Sequence, residues 1–163
     1  MEKKTKVIRD LSLVENELSS IQSGVLAVAI QKDTLTQFAT NFVYQNKNIF
    51  VFITNDELLR TIKFNSPAKF TILKEKNTLK ELRDEQDPYY RLFYIVVTGL
   101  FREVEEKKII NDIKQSYIEK YSGKLLINGK ATASLGKLYF IDSEELLAFD
   151  EIGLKILSQF KVS

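Results

Sequence analysis

The residues best suited to chemistry gather in the stretch ITNDELLRTIK, positions 53–63. Thr54 and Asn55 stand just ahead of Leu58, Leu59 and Ile62, whose spacing marks a short helix, with Arg60 inside it and Lys63 just past it. Backbone donors at a helix start together with a guanidinium fork are a simple way to hold a phosphate dianion. The plainer reading is that Thr54 and Asn55 only cap the helix and that Arg60 is solvated. Lys63 and Lys69 either add positive potential or stand as ordinary surface charges.

Composition closes several other routes. The chain has His 0 and Cys 0. That removes the imidazole of a serine hydrolase triad, paired histidines on zinc, the common proximal haem ligand, thiolate metal sites and disulfides. Whatever chemistry occurs here is therefore not expected from the protein's side chains. A net charge of +2 spread along 163 residues gives no clustered basic face for nucleic acid. No apolar run approaches the roughly 20 residues of a membrane span. The first ten residues lack the apolar core of a secretory signal, so a cytoplasmic protein is expected.

The elements that must position these residues follow from periodicity. Apolar positions at Ile8, Leu11, Val14, Leu18 and Ile21 predict an amino-terminal helix within residues 1–24, ended at Gly24. Residues 25–30 read as a buried strand. Residues 36–44 and 49–53 read as the arms of a hairpin around Gln45, Asn46, Lys47 and Asn48. The short helix stops at Asn65, Ser66 and Pro67, residues 68–73 form a strand, and 74–88 make an exposed, charged loop. Residues 91–104 form a long strand in which Gly99 marks a bulge that curves the sheet.

Residues 105–121 form an amphipathic helix closed by Ser122 and Gly123. Its opening residues Glu105, Glu106, Lys107 and Lys108 read as a solvated start. Residues 125–136 read as a loop and 137–141 as a strand, while 143–160 carry mixed signals. The sum is a single α+β, mainly β domain spanning 1–163 and built on a barrel. Phe38, Phe42, Phe50 and Phe52 serve its core, and Tyr89, Tyr90 and Arg91 form an aromatic strand entrance.

Taken in order, FATNFVY, IFVFITND, LLRTIKFNSPAKFTI and YIVVTGLFREVE resemble the pyridoxamine 5′-phosphate oxidase-like flavin-binding split barrels, over roughly residues 25–141. The resemblance implies a six-stranded Greek-key split β-barrel with flanking helices. It also implies a homodimer with flavin mononucleotide (FMN) between the subunits, and oxidoreductase chemistry on an unspecified small molecule. Carried over by position, the backbone of Phe38, Ala39, Thr40 and Asn41 faces the flavin ring, and Ile53, Thr54, Arg60 and Lys63 surround the phosphate. Leu58 and Leu59 stand where the family usually has a basic residue or a small hydroxyl. The tail after Ser143 lacks the basic and aromatic residues of true pyridoxamine 5′-phosphate oxidases. A haem-binding or haem-degrading barrel, and a cofactor-free binding module of the same fold, are the alternatives; haem ranks below flavin because the chain has no histidine.

Overall fold

In a computed structural model, residues 3–76, 89–123 and 136–154 are described. The amino-terminal segment expected to be one helix divides in two. Lys4–Ile8 is a strand, β1, and the helix α1 is confined to Leu11–Ser20. Asp10 fixes the division, because its carboxylate accepts from the Leu13 N–H (3.3 Å) and so caps the helix at that point. β1 is nearly all exposed, so no buried alternation marked it; its reason for being a strand is its ladder with a distant partner.

Next come β2 (Ser23–Ile30), β3 (Thr34–Asn41), β4 (Val43–Gln45) and β5 (Asn48–Ile53). Asn46 and Lys47 both have positive φ (52° and 64°), the backbone sense that a tight hairpin between twisted strands requires. The short helix α2 (Asp56–Thr61) leads into β6 (Ser66–Glu75), and the long strand β7 (Tyr89–Glu103) precedes helix α3 (Lys107–Tyr121). The last strand, β8, runs Lys137–Leu154, so the mixed signals after Ser143 resolve as strand up to Leu154. The expected loops lie mostly outside the described residues, as do residues 155–163.

All pairings are antiparallel, and the strand order is β3-β2-β6-β7-β8-β5-β4, with β1 added to β8. The two ends of that order, β3 and β4, are halves of one run broken only at Phe42. Counted as one strand, they bring the sheet back on itself as a six-stranded split β-barrel. The β8 strand is long enough to serve two neighbours on one edge, β5 near its start and β1 near its end. Its other edge pairs with β7 along that strand's whole length, with one irregularity at Thr98/Gly99, where the curvature was expected.

The core fills the barrel with Leu26, Val28, Phe42, Phe70, Ile72, Phe93, Ile95, Val97 and Phe101, all essentially inaccessible. A second cluster lies outside the wall, where Ile113, Tyr117 and Tyr121 of α3 cover Val43, Phe50 and Leu138. The break at Phe42 removes its backbone from the ladder, and α3 meets the need. The Tyr121 hydroxyl accepts from the Phe42 N–H (3.0 Å), and Lys120 Nζ donates to the Phe42 carbonyl (3.0 Å) while lying 3.7 Å from the centre of its ring. Among the described residues no helix is long and apolar enough to cross a membrane.

Candidate functional site

Helix α2 closes one end of the barrel. Asn55 caps it by accepting from the Leu58 N–H (3.1 Å), as the plainer reading held for that residue. Leu58 and Leu59 are half-buried against the core. Close by, Phe64, Phe101 and Tyr139 form a mutually stacked trio with centroids 5.4–5.8 Å apart. This explains why apolar residues stand at 58 and 59: they close the barrel end. Burial first, then the charges of Glu103 and Asp56, push the Tyr139 phenol up to about 12.

Charge is divided along α2. Asp56 and Glu57 occupy its first turn and Arg60 its last, each favourable to the helix dipole. The two carboxylates repel an anion from the helix start, so the cationic feature is the opposite end. There the chain docks on the β2–β3 turn: the Gln31 N–H donates to the Thr61 carbonyl (2.9 Å) and the Lys63 N–H to the Ala29 carbonyl (2.9 Å). The exposed Arg60 makes no ion pair with a described residue. Lys63 is exposed and lies 3.9 Å from Asp33, and Lys32 sits in the same turn. Lys69 is exposed on β6, in register with Ala27.

The remaining expected residues are spread along the wall. Ile53 is buried in the core, and the half-buried Thr54 follows it against Gly136, where an added Cβ would come within 2.8 Å of Thr54 Cγ2. From the Arg60 corner, β3 leads away for about 13 Å to Phe38 and about 23 Å to Asn41, at roughly 3.3 Å per residue. Phe38 packs inward, half-buried against the core, whereas Ala39 is exposed. Thr40 and Asn41 are buried. The Thr40 hydroxyl donates to the Asn41 carbonyl and the Asn41 amide to the Gln22 carbonyl, both at 3.0 Å. Their side chains are thus committed to the protein, and the residues that β3 exposes are Thr34, Leu35, Gln37 and Ala39.

Ala39 begins an outer row that the sequence reading missed. The register aligns Ala39, Val25, Thr71, Val96 and Leu147 across five strands, with Leu73, Tyr94, Phe149 and Val7 in the next row. Leu73 is 60% exposed, Val7 46% and Val25 40%, so the wall carries an apolar outer face. Alternation of apolar residues on both faces of β6 and β7 was its signal, and it was absorbed into the expectation of a buried strand. Tyr90, expected only as a strand entrance, donates to Glu151 (3.0 Å), which also pairs with Lys3 (2.9 Å). Lys3 holds the Glu151 carboxyl below its usual value, chiefly by their hydrogen bond.

No protein-family model and no curated protein matches the sequence. Solved structures do match the fold. A FAD-binding protein from Mesorhizobium loti superposes with TM-score 0.65 at 14% identity, covering 92% of this chain and 99% of that one. The FAD binding protein of Mycobacterium smegmatis gives 0.61 at 12%, covering 89% and 97%. The haem storage protein HutZ of Vibrio cholerae gives 0.58 at 13%, covering 85% and 94%. Over nearly its full length, then, the chain has the split β-barrel fold of these FAD-binding and haem-storing proteins.

Proposed function

We propose that the chain is an FMN-binding flavoprotein that works as a homodimer. The observation that carries this reading is the cationic corner of Arg60 and Lys63, placed at the start of β3, the strand on which Ala39 is exposed beside the apolar residues Val25, Val96 and Leu147 of its row. A flavin is an elongated ligand with a phosphate at one end and a flat ring at the other. Arg60 supplies a guanidinium fork for the phosphate, with Lys63 adding charge and Thr54 within the same barrel end. The ring then lies along β3 towards Phe38 and Ala39. A second copy packing on the exposed apolar face of Val25, Leu73 and Leu147 covers the ring's other face and excludes water.

When bound, FMN supplies hydride or electron transfer, and the protein's part is orientation and shielding. The names of the similar structures support a flavin or haem ligand for this fold, and a chain with neither histidine nor cysteine suits flavin better. The test is the visible absorbance spectrum of freshly purified protein, with release and identification of the chromophore. Flavin bands and free FMN are expected. A colourless protein that retains no FMN after incubation contradicts the reading, and a Soret band in its place points to haem.

A further inference from the structure

At the barrel end opposite α2, β1, β6, β7 and β8 enclose a hollow of about 660 Å³ lined by Lys4, Lys6, Lys76, Arg91, Asp150 and Ile152, among others. The strands force these cations together. Lys4 and Arg91 both pair with Ile152 from opposite sides, and Lys6 pairs with Asp150 in the next row. Lys76 reaches the same place because its N–H donates to the Arg91 carbonyl (3.0 Å). Grouped like charges are unfavourable in the free protein.

The carboxylates of this hollow are already engaged. Asp150 pairs with Lys76, which lies 5.4 Å from the centre of the Phe93 ring. Glu151 pairs with Lys3 and Tyr90. Lys4 and Lys6 make no ion pair with a described residue and are exposed. Lys4 and Lys6 thus place positive charge beside an apolar floor at Ile152. Lysines act as point charges and suit a phosphoryl group without a fixed fork geometry.

We infer that this hollow is a second ligand site, for a small organic phosphate with an apolar body. It lies ten residues along β6 from the Arg60 corner, about 30 Å at strand rise, so it is separate from the flavin phosphate and independent of whether flavin binds. The full-length chain is titrated calorimetrically with phenyl phosphate, alongside Lys4→Gln/Lys6→Gln and Arg60→Ala variants. Saturable binding is expected, weakened about tenfold or more in the double variant and still present in Arg60→Ala. Circular dichroism melts verify that the variants are folded. Absence of saturable binding overturns the inference, as does a double variant that binds like wild type, or loss of binding in Arg60→Ala, which would place the anion at the other corner. Retention of FMN by the double variant reports on the flavin reading separately.

Discussion

Replacing Gly99 by alanine is expected to lower stability by about 3 kcal/mol, at the upper end for overpacking of a tight site. A Cβ at this position would collide with the Asp142 carbonyl of the neighbouring strand and stand 2.9 Å from Ile141 Cγ2. Backbone cannot rotate away as a side chain can. The collision falls where β7 and β8 shift register, with Thr98 opposite Glu145 but Gly99 opposite Ser143, so Glu144 is the extra residue. Relief would require parting the longest ladder of the barrel. For a domain of this size the melting temperature should fall by roughly 6–12 °C. Thermal and urea unfolding check it; a variant as stable as wild type would show that the bulge does not need glycine.

Tyr121→Phe is the second large effect, at about 2 kcal/mol near neutral pH. The ring remains, but the Phe42 N–H loses its acceptor inside the protein, and an unmet buried donor costs about 1–3 kcal/mol. The variant also changes the response to alkali. Burial pushes the Tyr121 phenol up to about 12, against an ordinary value near 10. The folded state therefore holds the proton where the unfolded chain releases it. The contribution is fully present below pH 10, and stability falls as pH rises from about 10 to 12, by about 1.4 kcal/mol per pH unit for each such group. Tyr44 and Tyr139 are raised to about 12, mainly by burial, and steepen the same fall. Tyr121→Phe should be less stable at pH 7 yet lose stability more gently above pH 10. An unchanged alkaline slope would show that this hydroxyl titrates normally.

Most strands were legible because their apolar and β-branched residues sit on a buried face, and Gly99 was legible because a glycine within a strand has few other reasons to be there. The break at Phe42 was not. It depends on Tyr121 and Lys120 arriving from a helix far along the chain, and no local pattern in FATNFVYQ announces that. β1 was hidden for the same reason, since its partner lies at the other end of the sequence. At the candidate site, sequence supplied Arg60 and Lys63 and the capping role of Asn55. It did not show that Asp56 and Glu57 turn the helix start away from anions, or that Thr40 and Asn41 spend their side chains on the Asn41 and Gln22 carbonyls. Nor did it show that Leu58 and Leu59 close the barrel, which needs the position of Phe64, Phe101 and Tyr139.

The difference in affinity between FMN and riboflavin isolates the phosphate proposed to rest at the Arg60 corner. Fluorescence titration of the full-length chain should show FMN binding about 10- to 100-fold more tightly than riboflavin, as expected for charge-assisted hydrogen bonds. In Arg60→Ala that gap should largely close, while riboflavin binding stays as it was. Equal affinity for the two ligands in wild type, or a full gap persisting in Arg60→Ala, would show that Arg60 does not hold a flavin phosphate.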